Sequence, residues 1–308
     1  MDRFDAMQTF ARVVEAGSFT KAARTLHMSR TTATQLVQQL EAHLRVKLLH
    51  RTTRTVKVTE DGAAYYERVV RLLADLEDAD TSLSSATASP RGRLRVDVPS
   101  PVARLILVPA LPAFHARFPD IQLDMGVSDR MVDLISDSVD CVLRIGELAD
   151  SSLMTRRVGE LPLGAYASPS YLARAGTPAH PKDLESTHHR SVGFLRARNG
   201  KAAPIVVQRD GERIEVQGRY VVAVDDGNAY LAAGLAGMGV VCMPRYMAGA
   251  SLASGELLPL FEGWHFEVMP MYVVFPATRH VSPKLRAFID WVVALMAVHA
   301  PMRDARPA

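Results

Sequence analysis

The chain has 308 residues, of which 48% are hydrophobic and 22% are charged, and its formal net charge is +3. This composition excludes intrinsic disorder, and the length suits about two domains, each with its own core. No apolar run reaches the length of a membrane span, and the first residues lack the apolar core of a signal peptide. We therefore expect a cytoplasmic protein that has no contact with a membrane.

Positive charge is concentrated in the head, residues 1–58. The head contains ten Lys or Arg against four Asp or Glu, a balance of +6. Residues 59–89 contain two against seven, a balance of −5. A basic head on an otherwise nearly neutral chain is typical of a module that binds phosphates.

Three helices are predicted in the head, the last two forming a helix-turn-helix at about residues 19–38. An amphipathic first helix runs from Asp2 to Ala16. Ser18 and Ser29 can cap the next two, because a serine oxygen accepts from the free N–H groups of a first turn. On the last helix, apolar residues spaced by four and three form one buried stripe: Ala33, Val37, Leu40 and Leu44. The opposite stripe carries hydroxyls and amides: Thr31, Thr34, Gln35 and Gln38.

The polar stripe, together with Arg30 and Thr32 in the same first turn, predicts contact with DNA. Hydroxyl, amide and guanidinium groups can donate to or accept from base edges in a major groove. A face that is only solvated more often carries Glu and Lys. An ordinary helical hairpin is the alternative, because helix-turn-helix patterns are degenerate.

Two short strands, at residues 48–51 and 55–58, predict a hairpin wing. Arg51 and Arg54 flank its turn, where a guanidinium can reach a phosphate or the minor groove. Arginines in a loop are often merely solvated, but the basic balance of the head favours the binding role.

Residues 59–90 predict a long helix followed by a hinge of small residues with Pro and Gly. Thr59 can cap the helix, with two acidic residues at the positive end of the helix dipole. A heptad seam is then kept for nearly three heptads: Tyr65, Val69, Leu72, Leu76, Ala79 and Leu83. The seam predicts pairing with the same helix of another subunit, parallel or antiparallel. Packing within its own domain is the alternative.

From residue 91 the pattern alternates between strands and helices, which predicts an α/β domain to about residue 303. We expect parallel sheets with helices on both faces, in one lobe at residues 92–163 and 268–303 and another at 164–267. The expected strands are 94–98, 121–127, 139–145, 163–167, 191–195, 205–207, 214–216, 220–224, 239–243 and 268–275. The expected helices are 101–115, 131–138, 168–175, 228–237 and 283–296. Ligands of such domains bind in the cleft, beside helix N-termini.

Little in the sequence indicates an enzyme. The glycines from Gly234 to Gly239 lie at a helix end and do not predict a dinucleotide cradle, and no hydrolase or zinc-protease motif occurs. The adjacent His188 and His189 cannot share one helix face as a metal pair, and they predict a solvated loop. Cys141 and Cys242 lie in apolar runs, so we expect reduced core thiols. We accordingly expect no catalytic residue, metal or cofactor.

The chain resembles the LysR-type transcriptional regulators along essentially its whole length. The most specific likeness lies in the head and the start of the long helix: Phe10, Ser18 to Ala23, Leu26, Ser29, Leu40, Glu41, Leu44, Leu48 to Arg54 and Thr59 to Gly62. The resemblance implies a winged helix-turn-helix, a dimerising linker helix and a two-lobed effector domain similar to the periplasmic binding proteins. The chain departs at Arg45 and Lys47, where the family usually has Gly and often Pro, and at Gln35, where many members carry Arg. Because Gln favours adenine and Arg favours guanine, operator preference cannot be borrowed.

The resemblance also implies where a small effector binds. The family's ligand contacts the loop after the first effector-domain strand, the end of the second strand and three later segments: here Ser100, Pro101, Ser128, Arg144, Phe194 and Gly227. The N–H groups that follow Ser100 favour an anion, so a carboxylate is an expected effector. Arg144 either pairs with such a carboxylate or is a surface arginine. Composition alone favours a core position for Phe194.

Together these features predict a transcription factor that binds double-stranded DNA under the control of a small effector. We expect a homodimer through the linker helix and, as is usual in the family, a homotetramer. The alternative is a two-lobed small-molecule binding protein with no DNA role. The sequence does not indicate whether the protein activates or represses.

Overall fold

A computed structural model describes residues 2–51, 56–84, 89–129, 139–146, 153–196, 200–276 and 281–301. The chain divides into two compact units, Met1–Ala88 and Ser89–Ala308. In the described part of the chain, no helix is both long enough and apolar enough to cross a membrane.

The first unit has the predicted helices and hairpin. Its elements are α1 (Arg3–Ala16), α2 (Phe19–Thr25), α3 (Arg30–Leu44), β1 (Leu49–Arg51), β2 (Val56–Val58) and α4 (Glu60–Ser84). The side chains of Ser18 and Ser29 accept from the N–H groups of Lys21 and Thr32, so both predicted caps are confirmed. Gly17 ends α1 in the left-handed region, at φ +58°. The hairpin strands β1 and β2 pair antiparallel.

One core holds the first unit together. Ala33, Val37 and Leu40 are fully buried and Leu44 is half-buried, which confirms the predicted apolar stripe of α3. They pack with α1, α2 and the hairpin, and the core includes Ala6, Phe10, Val13, Ala22, Leu48 and Leu49. This packing turns the polar side of α3 outward.

The long helix α4 begins against the hairpin. The Thr59 hydroxyl accepts from the Gly62 N–H at 2.8 Å and donates to the Lys47 carbonyl at 2.7 Å. A Cβ at Gly62 would lie 2.0 Å from the Leu48 carbonyl oxygen, so this close approach requires glycine.

The heptad seam of α4 is used in two ways. Tyr65 and Val69 pack within the first unit, and the Tyr65 ring lies 5.8 Å from that of Phe10. The prediction that the whole seam pairs with another subunit is therefore wrong for this part, because α1 already covers it. Leu72 and Leu76 are 56% and 43% exposed. The side chains of residues 79 and 83 and the hinge residues 85–88 lie outside what the structure describes.

The second unit is built on a seven-stranded sheet. Its strands are β3 (Gly92–Val98), β4 (Ile121–Val127), β5 (Cys141–Ile145), β6 (Met154–Ala167), β11 (Val241–Pro244), β12 (Leu258–Leu260) and β14 (Val268–Phe275). The strand order is β11-β6-β14-β5-β3-β4, with β12 also on β6. Strand β3 is parallel to β4 and β5, but β14 runs antiparallel to β5 and β6. The expectation of a fully parallel sheet is wrong, because the returning strand β14 enters from the opposite end.

Strand β6 is much longer than predicted and changes partners along its length. Residues 154–162 pair with β14, whereas residues 163–167 pair with β11 and β12. The sequence predicts this strand only from Leu163, because residues 154–157 are exposed and lack an apolar pattern. One continuous strand therefore links two separately packed regions of the second unit.

Helices cover the first of these regions. They are α5 (Ser100–Val102), a π-helical turn (Ala103–Leu107), α6 (Val108–Arg117) and α10 (Pro283–His299). Phe114, Phe288 and Leu94 are fully buried in its core. The helix predicted at residues 131–138 lies outside the described residues.

Burial raises the pKa of the Cys141 thiol well above its usual value and that of Cys242 to about 12, so both cysteines are protonated thiols.

The other region contains the remaining elements. They are α7 (Pro169–Ala175), a 3₁₀ turn (Pro181–Glu185), β7 (Ser191–Phe194), β8 (Ile205–Arg209), β9 (Glu212–Val216), β10 (Tyr220–Val224), α8 (Gly227–Leu235), α9 (Arg245–Ala253) and β13 (His265–Phe266). Asp210 and Gly211 both have positive φ, which confirms the predicted hairpin turn. The sequence did not predict α9, β12 or β13. Of the two adjacent histidines, His188 is exposed as predicted, whereas His189 is buried.

A buried carboxylate joins α3 to the hairpin. Glu41 is 3% exposed; its Oε1 accepts from the N–H groups of Leu48 at 3.0 Å and Leu49 at 3.1 Å. Its Oε2 accepts from the Lys47 ammonium at 3.0 Å. Burial raises the pKa of Glu41, but the Lys47 ammonium and the two N–H groups together lower it by more, leaving the pKa below its usual value.

Replacing Glu41 with Ala should destabilise the first unit by about 3 kcal/mol, because two N–H groups would be buried without an acceptor. The opening free energy of the α3 amides, measured by hydrogen exchange on the full chain, reports this loss. Gln39→Ala on the exposed side of α3 is the control and should change that free energy by less than about 0.5 kcal/mol. Equal effects of the two substitutions would contradict the anchoring role.

The same carboxylate makes stability depend on pH. Since the folded pKa lies below the unfolded value of 4.5, the stabilisation by Glu41 is present above that value and is lost as pH falls through the folded pKa. Glu41→Gln should remove this part of the acid sensitivity, which acid titration of the unfolding free energy measures.

Candidate nucleic-acid interface and ligand cleft

The polar stripe of α3 faces solvent. Arg30, Thr31, Thr32, Gln35 and Gln38 are exposed, and Thr34 is half-buried. Because the opposite stripe is locked in the core, these side chains share one accessible side of a rigid helix. This side of the helix presents hydrogen-bond donors and acceptors that can contact base edges in a major groove.

Two of the stripe's hydroxyls already have local partners. The Thr32 hydroxyl lies 2.8 Å from the Ser29 hydroxyl at the helix cap, and the Thr34 hydroxyl donates to the Arg30 carbonyl at 2.9 Å. A hydroxyl that donates within the helix can still accept from a ligand. The longer side chains of Arg30, Gln35 and Gln38 extend furthest from the helix.

Exposed basic side chains accompany this stripe in the first unit. Those exposed in the described part of the first unit include Lys21, Arg24, His27, Arg45, Lys47 and Lys57. On the wing, His50 pairs directly with Lys57 across the hairpin, and both are exposed. This pair was not predicted from the sequence, although opposite residues on an antiparallel hairpin share one face. Arg51 ends β1, and Arg54 lies outside the described residues.

In the second unit, two helix N-termini meet. Ser100 and Pro101 open the continuous helical segment 100–117, and Gly227 opens α8. All three residues are buried. A Cβ at Gly227 would lie 2.4 Å from Cγ of Pro101, so only glycine permits this approach. The structure thus brings together three of the six predicted effector residues.

The carboxylate of Asp129 occupies the space between these N-termini. Its Oδ1 accepts from the Ser100 N–H at 2.8 Å, and its Oδ2 accepts from the Gly227 N–H at 2.6 Å. Free N–H groups at helix N-termini bind anions well, and here an aspartate of the same chain is the anion. Asp129 was not predicted from the sequence, since an aspartate after a strand is common in loops.

A second layer of hydrogen bonds surrounds Asp129. The Ser100 hydroxyl donates to Oδ2 of Asp226 at 2.5 Å and accepts from the Asn228 amide at 2.7 Å. Oδ1 of Asp226 accepts from the Ala229 N–H and caps α8. Burial raises the pKa of Asp129, the N–H groups of Gly227 and Ser100 lower it, and the nearby Asp226 and Asp225 raise it; the balance lies above the usual value.

The three remaining predicted effector residues, Ser128, Phe194 and Arg144, each have a contact within the chain. Ser128 precedes Asp129, and its N–H donates to the Val98 carbonyl. The Phe194 ring lies 5.3 Å from that of Tyr230 on α8, edge to face. Arg144 lies 3.5 Å from the buried carboxylate of Asp97, so its charge is already paired within the chain. Among the described residues, no group of three or more His, Cys, Asp or Glu side chains is placed to hold a metal ion.

Comparison with known proteins places both units. The family model of bacterial regulatory helix-turn-helix proteins of the lysR family matches residues 4–63, and that of the LysR substrate binding domain matches residues 87–297. An HTH-type transcriptional repressor of Pseudomonas aeruginosa strain UCBPP-PA14 is 38% identical over 297 residues, covering 96% of this chain and 93% of that protein.

Solved structures agree with this assignment. CrgA, a LysR-type transcriptional regulator from Neisseria meningitidis, is 32% identical, with a TM-score of 0.59 over 95% of this chain and 98% of that one. Full-length AphB, a virulence activator of Vibrio cholerae, is 27% identical, with a TM-score of 0.58 over 94% and 98%. The chain therefore belongs to the LysR family of bacterial transcriptional regulators, and these relatives are regulators of transcription and not enzymes.

Proposed function

We propose that this LysR-type regulator reads double-stranded DNA with α3 and that a small-molecule effector in the second unit modulates its operator binding. The observation that carries the DNA role is the exposed polar side of α3, which is fixed by the buried opposite side and accompanied by exposed basic side chains in the first unit. An enzyme or a pure binding protein has no need of such a surface.

In the proposed complex, α3 lies in the major groove. Side chains that contact base edges there are Arg30, Thr31, Thr32, Thr34, Gln35 and Gln38. The wing contacts the backbone or the minor groove through Arg51 and Arg54. We add His50 and Lys57, since their shared exposed face on the hairpin suits a phosphate.

The proposed effector site is the cleft at the two helix N-termini. Its residues are Ser100, Pro101, Ser128, Arg144, Phe194 and Gly227. A carboxylate suits this site, because the N–H groups of Ser100 and Gly227 already bind one, that of Asp129.

We also propose the domain limits expected from the sequence. The DNA-binding domain spans residues 1–58, the linker 59–90 and the effector domain 91–303, with lobes at 92–163 with 268–303 and at 164–267. The change of partners along β6 after Pro162 supports the division between lobes.

A homodimer through α4, and a homotetramer made of two such dimers, complete the proposal. Leu72 and Leu76 are the exposed part of the heptad seam in the described residues. Two copies of α3 would enter successive major grooves about 34–36 Å apart. Action on DNA would place the protein in the cytoplasm.

Replacing Gln35 with Ala should weaken the free energy of binding to the preferred DNA site by about 1–3 kcal/mol. It should also remove discrimination at one base pair per half-site. The preferred site is selected from a random duplex library with the wild-type chain, and dissociation constants for single-base variants follow from fluorescence anisotropy. Gln8→Ala, an exposed glutamine on α1, is the control. If every site variant is weakened equally, Gln35 does not contact a base.

Binding should weaken steeply with salt, log affinity falling by about 0.9 per phosphate neutralised for each unit of log salt. Lys57→Gln should reduce this slope by about 1 per bound subunit without changing base preference. Lys182→Gln, an exposed lysine in the second unit, should leave the slope unchanged. A salt-independent affinity in the wild type would argue against the proposed DNA contact.

Replacing both Leu72 and Leu76 with Asp should raise the dimer dissociation constant at least about tenfold, because two apolar side chains would no longer be buried in the pairing seam. Sedimentation velocity over a range of concentrations measures this change. Val298→Asp removes a similarly exposed apolar side chain from α10 and should not alter the mass distribution. Unchanged dimerisation of the double variant would show that α4 is not the interface.

A further inference from the structure

The anion position of the second unit is filled by the chain itself. The Ser100 and Gly227 N–H groups point at one carboxylate, that of Asp129, at 2.8 and 2.6 Å. Hydrogen bonds of this length are among the stronger ones in proteins when the acceptor is an ionised carboxylate. An external anion therefore meets donors that are already engaged.

These bonds cross the cleft. Ser100 and Asp129 follow β3 and β4 in one region of the sheet, whereas Gly227 follows β10 in the other. The bond from the Ser100 hydroxyl to Asp226 crosses the same boundary. Asp129 thus holds the two helix N-termini together with one side chain.

The backbone at Gly227 is tightly packed, since a Cβ there would lie 2.4 Å from the Pro101 ring and 3.3 Å from Oδ2 of Asp129. Each of the two N–H groups has a single hydrogen and already donates it to Asp129. A ligand carboxylate can therefore bind these N–H groups only by taking the place of the Asp129 side chain.

Asp129 is also held against opposing electrostatic forces. Burial and the negative charges of Asp226 and Asp225 oppose its ionised form. Tyr246 packs against the cores on both sides of the cleft, and its hydroxyl is buried without a hydrogen-bond partner among the described residues. Burial raises the pKa of Tyr246, and the negative charge of Asp129 raises it further.

We propose that Asp129 is an internal ligand: it keeps the cleft closed without effector, and a carboxylate effector acts by displacing it. This inference rests on the proposed function, because it concerns the same effector cleft. The exchange of one carboxylate for another keeps the helix N-termini paired but frees the Asp129 side chain. The regulatory signal would then be the release of that side chain from the two N-termini.

The test uses hydrogen exchange at the two amides in the full chain. In Asp129→Ala, peptides containing Ser100 and Gly227 should exchange at least about tenfold faster than in the wild type, since their acceptor is gone. Sodium acetate should restore protection in the variant and have little effect on the wild type, whereas sodium chloride at equal ionic strength should restore none. Asp120→Ala, which removes an exposed carboxylate from the same lobe, controls for the change in charge.

If the alanine variant does not fold, Asp129→Asn is the variant to test. A neutral amide binds helix N-termini less strongly than a carboxylate, so acetate should protect these amides at lower concentration than in the wild type. Unchanged exchange in the variants, or equal acetate protection of wild type and variant, would overturn the proposal. Because the readout does not involve DNA, a failure here leaves the proposed DNA binding standing, and a failure of DNA binding leaves this result unaffected.

Discussion

In each functional region, a carboxylate that accepts hydrogen bonds from backbone N–H groups fixes the geometry. In the first unit, Glu41 on α3 binds the N–H groups that lead into β1. In the second unit, Asp129 binds the N–H groups at two helix N-termini. In each case one short, charge-assisted contact joins elements that the chain connects only through loops, and leaving either set of donors unpaired would carry the cost of a buried polar group.

The two carboxylates differ in what balances their charge. Glu41 has the Lys47 ammonium at 3.0 Å, and its pKa is lowered despite burial. Asp129 has no cation among the causes of its pKa shift; burial raises its pKa, and the nearby aspartates raise it further. The first arrangement suits a permanent anchor, while the second suits a contact that another anion can replace. Lys47 stands where the family often has proline, and a proline could not supply this ion pair. At Arg45, where the family usually has glycine, the chain instead places arginine at φ +56°, a conformation that favours glycine.

Local features of the fold were predictable from the sequence, and long-range ones were not. Ser18, Ser29 and the Asp210-Gly211 turn act on neighbouring residues, so their signals lie within a few positions of their effects. The direction of β14 and the partner change along β6 depend on contacts between segments far apart in the chain, and the exposed start of β6 has no apolar pattern. Tyr65 and Val69 fit a heptad seam equally well whether α1 or another subunit covers them.

The candidate sites divide in the same way. The exposed stripe of α3 follows from its own period, so the sequence alone assigns Arg30, Gln35 and Gln38 to an accessible side of the helix. Ser100 and Gly227 were implied by the family resemblance. The role of Asp129 depends on the folded chain. Folding brings Asp129 to Ser100, which lies 29 positions before it in the sequence, and to Gly227, which lies 98 positions after it. A single aspartate in a loop carries no pattern.

Glu41 also constrains how the proposed DNA complex can form. Its carboxylate lies on the same helix as the polar stripe, within two turns of Gln35, and it binds the start of the hairpin. The position of the wing is therefore set by α3 and not by a flexible connection. In the proposed complex, α3 can enter a major groove only at depths and angles that also place His50 and Lys57 against the backbone. Sequence recognition then includes the shape of the duplex, because a groove of the wrong width separates the two contacts even when every base matches.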